Sequence, residues 1–209
     1  IPWTEKGFEK DKSYAVAYQF ATGQKLWKTE LPLSNWMHPV VTKTSVCYVL
    51  GEIYFKSSVG FFYCLDKQTG VANFALPFNA PIASKPFYIR DGEDEYAFIG
   101  DFKGEVCGIN LTKKEKMWCH KTGNEKTTYA LSSFDYDPTH GVLWYPSNDN
   151  GLFGMAPKTG EILTHWLPQS QEPKWQENYA AVSIDSDHIY HMDIEGHLRK
   201  FKVEYSKNE

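Results

Sequence analysis

Short apolar runs rich in aromatic and β-branched residues alternate with turn sequences along the whole chain. Such runs, bounded by Gly, Asn and Asp, are typical of buried strands. The clearest examples are residues 46–50, 96–99, 142–145 and 189–192. No stretch keeps a 3.6-residue period long enough to predict a helix. The pattern therefore predicts an all-β protein built from short strands.

An internal repeat organises these strands. Its best copy, residues 65–74, reads apolar-Asp-x-x-Thr-Gly-x-x-x-aromatic. The turn position of the phrase recurs every 44 to 47 residues, at Gly23, Gly70, Lys114 and Gly160. A second marker with the same period precedes an apolar run in each repeat, at Gly60, Gly104, Gly151 and Gly196. Four short strands in about 45 residues are the pattern of a β-propeller blade.

The repeat predicts a β-propeller of four-stranded antiparallel blades that forms one domain over residues 1–209. Complete blades are predicted at 37–77, 84–120 and 130–168. A further blade would combine residues 13–31 with residues 179–205, which closes a four-bladed ring by strand exchange between the termini. The alternative is an open fragment of a larger propeller.

The predicted strands at the two ends are unequal in number. The N-terminal part supplies strands at 14–20 and 25–31, which resemble the third and fourth strands of a blade. The C-terminal part supplies strands at 179–184, 188–192 and 197–203, and no fourth strand follows. The first strand of the N-terminal pair is left over when the ring is closed in this way.

The repeated phrase resembles the repeat of the quinoprotein-like β-propellers, best in residues 65–70. The copies with Thr22-Gly23 and Thr159-Gly160 match in part, and the third copy has Lys113-Lys114 in place of Thr-Gly. In that family the tryptophan of the phrase docks one blade on its neighbour. The resemblance therefore implies structural roles for the aromatic residues at the corresponding positions, which are Trp27, Phe74 and Trp118.

The resemblance says less about chemistry than about architecture. Quinone-dependent members of the family resemble one another in having about eight blades, a vicinal disulfide and a calcium cage. This chain has no adjacent pair of cysteines and is about half the required length. Pyrroloquinoline quinone with calcium is therefore the alternative cofactor prediction, and no cofactor is the first.

A ligand site is predicted where the inner strands begin, because those segments converge at one mouth of the ring. The predicted ligand-binding residues are Trp36, His38, Ser84, Lys85, Ser132 and Tyr179. A funnel with a few convergent polar groups suits a small molecule or a protein segment. The function predicted is a non-catalytic ligand-binding or assembly module; the alternatives are a solvent-filled channel and a quinoprotein-like oxidoreductase or hydrolase that uses the same funnel.

Catalytic and metal-binding interpretations are weaker. His38 and Lys85 could act as acid and base, but Ser132 has no nucleophile-elbow context and no catalytic residue is predicted. His188, His191 and His197 are close in sequence, yet residues three apart on a strand point to opposite faces. No metal ligand is predicted. The acidic loops 91–95 and 135–141 lack the EF-hand spacing and are interpreted as solvated turns.

Four cysteines leave the redox state open. Cys47 and Cys64 flank one predicted hairpin, and Cys107 and Cys119 flank another, so each pair is either a disulfide or two free buried thiols. Asn110-Leu111-Thr112 is a glycosylation sequon on a predicted exposed turn. The sequence leaves the compartment undetermined.

The charge and hydropathy of the chain argue against two classes of partner, nucleic acids and membranes. The net charge is −4, and no basic cluster is present, so a nucleic-acid partner is not predicted despite the many aromatic residues. No apolar run is long enough to span a bilayer and no secretory-type leader is seen, so no membrane partner is predicted. The chain begins at Ile1, which predicts a processed product or an excised piece.

Overall fold

The computed structural model describes residues 12–52, 59–82, 84–123, 130–167, 180–185 and 187–203. All regular elements of these residues are β-strands. Within this part of the chain, no helix could cross a lipid bilayer. The chain divides into two compact units, Ile1–Pro81 and Ile82–Glu209. The single domain over 1–209 stays a prediction.

The first unit contains two antiparallel sheets. Sheet 1 pairs β1 (Ser13–Tyr18) with β2 (Lys25–Leu31). Sheet 2 has the order β3 (Val40–Val41), β4 (Ser45–Gly51), β5 (Gly60–Asp66) and β6 (Ala72–Phe78). An apolar core lies between the two sheets and includes Ala15 and Leu31 from sheet 1 and Tyr48, Leu50 and Leu65 from sheet 2. Each sheet thus buries one face on its neighbour.

The second unit repeats this arrangement. Sheet 3 consists of β7 (Phe87–Asp91), β8 (Asp94–Gly100), β9 (Glu105–Asn110) and β10 (Glu115–Lys121). Sheet 4 consists of β11 (Asp135–Asp137), β12 (Val142–Pro146), β13 (Leu152–Met155) and β14 (Ile162–Trp166). Sheet 5 has three strands, β15 (Ser183–Ile184), β16 (His188–Met192) and β17 (Leu198–Lys202). Apolar clusters fill the spaces between sheets 3 and 4 and between sheets 4 and 5.

The strands agree with the sequence pattern except near the two ends of the chain. The predicted strand 14–20 ends at Tyr18, because residues 19–24 form a turn closed by hydrogen bonds between Gln19 and both Gly23 and Gln24. The predicted strand 179–184 is reduced to Ser183–Ile184, and Tyr179 lies outside the described residues. Ring closure and the number of blades stay predictions.

The Asp-x-x-Thr-Gly phrase folds as a capped turn. One carboxylate oxygen of Asp66 accepts hydrogen bonds from the backbone N–H groups of Gln68 and Thr69 and from the Thr69 hydroxyl. Gly70 has φ +71°, a conformation that glycine adopts without steric penalty. These bonds hold the pKa of the Asp66 carboxyl below its ordinary value, chiefly through Thr69. The residue types of the repeat are therefore explained by the turn itself.

The copy that lacks Thr-Gly makes the same turn. Lys114 occupies the glycine position with φ +60°, and it is the one non-glycine residue with positive φ in the described part of the chain. Asn110 replaces the aspartate, and its Oδ1 accepts a hydrogen bond from the backbone N–H of Lys113 at 2.8 Å. The turn is conserved in shape although Lys114 must adopt a left-handed backbone that L-residues disfavour.

Two tryptophans dock neighbouring sheets, as the resemblance implied. The Trp27 indole donates to the Lys67 carbonyl at 3.1 Å and packs on Gly70. In the second unit, the Trp118 indole donates to the Pro157 carbonyl at 2.9 Å and packs on Gly160. The third aromatic residue of the phrase, Phe74, contacts Phe62 within sheet 2, with ring centroids 6.5 Å apart.

Candidate functional site

A cleft of about 540 Å³ opens in the first unit, between sheets 1 and 2. It lies where β2 and β4 end, and the pairing of Ser13 with Leu31 places the start of β1 at the same point. Its lining combines apolar and charged side chains: Lys12, Glu30, Leu31, Leu33, Glu52 and Tyr63. The volume falls within the range of small-molecule and side-chain binding sites.

A buried carboxylate lies at this cleft. Glu52 directly follows β4, and only 6% of the residue is exposed. Its two carboxylate oxygens accept hydrogen bonds from Ser34, one from the backbone N–H at 3.4 Å and one from the hydroxyl at 3.2 Å. These two hydrogen bonds hold the Glu52 side chain in one position at the wall of the cleft.

The rim of the cleft carries a second pair of charges. The Lys12 ammonium lies 3.1 Å from the Glu30 carboxylate, and both side chains are more than half exposed. The hydrogen bond to Glu30 raises the pKa of Lys12 above its ordinary value. Lys12 and Glu30 compensate each other, whereas no ion pair to Glu52 is found among the described residues. The net character of the cleft is therefore acidic, with Leu31, Leu33 and Tyr63 as apolar walls.

The predicted mouth residues of the first unit are exposed. Trp36 is 41% exposed, and His38 is also exposed. The Trp36 indole donates to the carbonyl of Gly51 at 3.1 Å, so it lies beside the residue that precedes Glu52. The sequence analysis missed Glu52. The available signal was its position directly after a buried strand, at the same end of sheet 2 as Trp36.

The predicted mouth residues of the second unit differ in exposure. Lys85 is exposed. Ser84 and Ser132 are fully buried, and the Ser84 hydroxyl accepts a hydrogen bond from the Gly100 N–H at 2.6 Å. Both residues are thus enclosed in this structure, and their predicted part in ligand binding stays a prediction. Tyr179 lies outside the described residues, and the mouth as a whole stays a prediction.

The histidines near the C-terminus have separate partners. His188 lies 3.3 Å from Asp185, whereas His197 lies 3.1 Å from Asp193. His191 is buried. Within the described residues, one group with metal-ligand spacing is found, and it consists of Glu105 with Cys107 and Cys119. The sulfur atoms of that group form a disulfide, so they are not thiolate ligands.

A buried ionic cluster surrounds Asp193 in sheet 5. Arg199 donates to its carboxylate at 2.7 Å, and His197 donates from its backbone N–H at 3.0 Å. Burial opposes ionisation of Asp193, but the bonds from Arg199 and His197 outweigh it and lower its pKa to about 2. Burial lowers the pKa of His191 to about 4, with the Arg199 charge as the second cause. His191 is therefore neutral at pH 7.

The acidic loops use their carboxylates within the protein. Asp137 accepts hydrogen bonds from the N–H groups of Thr139 and His140, and the His140 ring lies 2.7 Å from its second oxygen. In the other loop, Asp91 lies 2.8 Å from the Lys158 ammonium. Both loops are built as hydrogen-bonded turns.

Both cysteine pairs are disulfides. Cys47 is directly opposite Cys64 on β4 and β5, and Cys107 is opposite Cys119 on β9 and β10. Each bond joins neighbouring strands of one sheet. The cofactor alternative implied a vicinal disulfide and a cage of oxygen ligands for calcium. The two disulfides join residues on neighbouring strands rather than adjacent residues of the chain. The group at Glu105 contains disulfide sulfur atoms, whereas calcium prefers oxygen ligands. Neither feature fits the quinone site that the resemblance implied.

The predicted exposure of the sequon is confirmed for Thr112 and wrong for Asn110. Asn110 is 5% exposed, because its side chain caps the β9–β10 turn. The Thr112 hydroxyl of the same sequon accepts a hydrogen bond from the Glu95 N–H at 3.0 Å. Both side chains that define the sequon are thus used in holding the sheet together.

Comparison with known proteins identifies the fold. No protein-family model matches the sequence, and no curated protein is significantly similar to it. Among solved structures, BamB from Moraxella catarrhalis has a TM-score of 0.70 and 16% identity over 90% of this chain and 55% of its own. The computationally designed Ika8 protein has a TM-score of 0.65 and 12% identity over 94% of this chain and 57% of its own.

A third similar structure is a quinohemoprotein alcohol dehydrogenase from Pseudomonas putida. Its TM-score is 0.56 and its identity 16%, over 75% of this chain and 32% of its own. These likenesses and the four-stranded antiparallel sheets define the fold class of the protein, which is an all-β β-propeller. The chain spans about half the length of BamB.

Proposed function

We propose that this chain is a non-catalytic binding module, and that the cleft at Glu52 takes a protein segment with a cationic side chain. The observation that carries the proposal is the buried Glu52 carboxylate, which is held by Ser34 and has no ion pair among the described residues. A buried charge is costly unless it is paired. A ligand cation would supply the missing partner.

The walls of the cleft favour a Lys or Arg side chain over a small cation. Long basic side chains pack their methylene groups on apolar surface while the charged end reaches an acceptor. Leu31 and Leu33 supply that surface, and the Tyr63 ring is suited to contact a guanidinium or ammonium group. Exposed Trp36 and His38 would extend the site along the bound segment. Lys85 belongs to the second unit, and its place in the predicted mouth stays a separate proposal.

The proposal is non-catalytic because the available groups suit binding better than reaction. The sequence places no nucleophile beside His38 and Lys85, and the hydroxyl-bearing residues Ser84 and Ser132 of the predicted mouth are fully buried. The Glu52 carboxyl group is held in place by two hydrogen bonds from Ser34, which suits a fixed acceptor for a bound cation.

An NMR titration tests the proposal. The probe is the peptide acetyl-Leu-Arg-Leu-amide, added to the ¹⁵N-labelled full chain, with acetyl-Leu-Gln-Leu-amide as the uncharged control. We expect shifts of the Leu31, Leu33 and Glu52 amides with the arginine peptide, and their loss in Glu52→Gln. The matched control is Glu93→Gln, whose carboxylate side chain is 81% exposed. Equal binding by Glu52→Gln, or no shift at millimolar peptide, would overturn the proposal.

A further inference from the structure

Three side chains that can bind metal lie together on sheet 3. Glu105 and Cys107 are two residues apart on β9, so their side chains lie on the same face of the strand. Cys119 is directly opposite Cys107 on β10. The Cys107 Sγ lies 4.0 Å from the Glu105 Oε2, and the ligand atoms of all three residues lie within 4.8 Å of one another. In the described part of the chain, this is the one group with such spacing.

The strand pairing positions these residues independently of the disulfide. β9 and β10 are paired from Glu105 opposite Lys121 to Asn110 opposite Glu115. Trp118 is adjacent to Cys119 and therefore points to the other face of β10, where its indole donates to the Pro157 carbonyl. Reduction of the disulfide should thus leave two thiols and a carboxylate on one face of a paired hairpin.

The two disulfides of the protein differ in access. Cys47 and Cys64 are both 0% exposed, whereas Cys119 is partly exposed. Disulfides are reduced by attack of a thiolate on one of the two sulfur atoms, so the rate depends on access. A dithiol should therefore reduce the bond at Cys119 before the bond at Cys47. The buried bond serves as an internal control, because no carboxylate or imidazole of the described residues forms a ligand group with it.

The charges around the reduced pair favour a divalent cation. Two thiolates and the Glu105 carboxylate carry three negative charges. Lys121 is opposite Glu105, and Lys116 is close enough that the Glu105 charge acts on it. Burial lowers the pKa of Lys116, and the Glu105 charge opposes that change. The two ammonium groups offset the negative charge only in part, and a metal ion would supply the remainder.

The ligand atoms select the class of metal. Thiolates favour zinc, whereas calcium and magnesium prefer oxygen ligands. Because Zn–S bonds are about 2.3 Å long, two thiolates on a tetrahedral zinc ion lie about 3.8 Å apart. The Cα atoms of Cys107 and Cys119 are 4.1 Å apart, so both side chains can reach one ion. Glu105 would be the third ligand and a water molecule the fourth.

We infer that the reduced Cys107–Cys119 pair and Glu105 form a zinc site, which replaces the covalent link between β9 and β10 by a metal link. A dithiol supplies two electrons and two protons, so the protein disulfide becomes two thiols and the dithiol becomes a cyclic disulfide. Zinc then binds both sulfur atoms as thiolates, and the two thiol protons are released. The inference does not depend on the cleft at Glu52, whose lining residues belong to the other unit.

A cobalt titration tests the inference, because Co²⁺ bound to thiolates has a charge-transfer band in the near ultraviolet and takes the same ligands as zinc. The full chain is reduced with dithiothreitol, desalted under argon and titrated with cobalt chloride. We expect a band that saturates at one ion per chain and disappears when zinc chloride is added. Two protons should be released for each ion bound. The oxidised chain should show no band.

Matched variants test the carboxylate ligand. Glu105→Gln should bind cobalt at least about tenfold more weakly, because even residues that only support metal ligands contribute about 10–100-fold to affinity. Glu115→Gln changes an exposed glutamate of the same hairpin and should bind normally. Glu52→Gln should also bind normally, which separates this inference from the proposed function.

Cysteine variants identify the pair. The double variant Cys107→Ser, Cys119→Ser should lose the band, whereas Cys47→Ala, Cys64→Ala should keep it. If the latter misfolds, alkylation of the reduced wild type followed by peptide mapping should show that cobalt protects Cys107 and Cys119 alone. Three results would overturn the inference: no band at millimolar cobalt, an equal band without Cys107 and Cys119, or unchanged affinity in Glu105→Gln.

Discussion

The indole of Trp27 packs directly on the turn glycine of the following repeat, Gly70, and its N–H donates to the carbonyl three residues earlier. Thr29 of the same strand donates its hydroxyl to the Gly70 carbonyl at 2.7 Å. Trp27 and Thr29 of β2 thus both hydrogen-bond to backbone carbonyls of the neighbouring turn rather than to its side chains. The contact constrains the glycine position more than it constrains the other residues of the turn.

Alanine substitutions at the three turn glycines should differ in effect. All three positions have φ near +70°, so each substitution costs about 1 kcal/mol of backbone strain. Gly70→Ala and Gly160→Ala should lose a further 1–3 kcal/mol or so, because the new methyl group meets an indole. Gly23→Ala is the matched control, because no atom of the described residues lies within 4 Å of a Cβ built on Gly23. Urea unfolding of the three variants measures the difference, and equal losses would contradict the docking geometry.

Lys114→Gly should stabilise the protein. Lys114 is held at φ +60°, and removing the side chain releases strain of about 1–2 kcal/mol, offset by the greater entropy of glycine in the unfolded chain. We expect a net gain of about 0.5–1 kcal/mol in the free energy of unfolding. Lys113→Gly, one residue earlier without positive φ, should destabilise instead. An unchanged or lower midpoint of urea unfolding for Lys114→Gly would contradict the conclusion that the Lys114 backbone is strained.

Stability should fall in acid in two steps that belong to sheet 5. The folded pKa of His191, about 4, lies below its ordinary 6.5, so its contribution is complete above pH 6.5 and is lost as the pH falls through 4. The folded pKa of Asp193, about 2, lies below its ordinary 3.8, so its contribution is lost between about pH 4 and 2. The first step, which belongs to His191, should lower the free energy of unfolding by about 3 kcal/mol at most. His191→Asn should remove that step and leave the second.

Arg199→Met tests the buried ion pair in the same sheet. The substitution leaves the Asp193 carboxylate buried without its guanidinium partner, which should cost about 3–5 kcal/mol at pH 7. Because the carboxyl can then be protonated, the loss should shrink below pH 4. Unfolding curves at pH 7 and pH 3.5 make the comparison. A loss that is the same at both pH values would show that packing of the Arg199 stem dominates.

Removing either disulfide should destabilise its own sheet. The bonds close loops with sequence separations of 17 and 12 residues, for which the chain-entropy estimate is about 3 kcal/mol each. The double variant Cys47→Ala, Cys64→Ala should therefore unfold at lower urea than wild type. Alkylation and intact mass under non-reducing conditions should show no free thiol, and four alkylated cysteines would contradict the pairing.

The strands were predictable because they depend on local patterns, whereas the docking role of Trp27 and Trp118 was implied by the family resemblance. The turn residues of the phrase, such as Asp66 and Gly70, recur with the same period as its aromatic residue. A repeat of this length indicates the propeller architecture directly. The disulfides were left open because the pairing depends on register, which places Cys47 opposite Cys64 only once the β4–β5 hairpin is fixed.

The contacts of the candidate site were less accessible from the sequence than the strands. Ser84 and Ser132 lie at strand entries, but the position of a residue along a strand does not say whether its hydroxyl faces solvent or a backbone N–H. The cleft at Glu52 joins residues from three strands and a loop, and the position of Glu52 directly after a buried strand does not by itself show that a cleft forms there. The exposure of Trp36 and His38 was consistent with the pattern, whereas the acidic character of the cleft came only from tertiary structure.

The burial of Asn110 has a consequence for the order of events during biosynthesis. A sugar attached to asparagine is bulky and lies on the surface, whereas the Asn110 side chain is enclosed once β9 and β10 have paired. Any sugar at this position would therefore have to be added before the hairpin closes. The fraction of chains that carry a sugar on Asn110 would therefore report the rate of sugar attachment relative to the rate at which the β9–β10 hairpin closes.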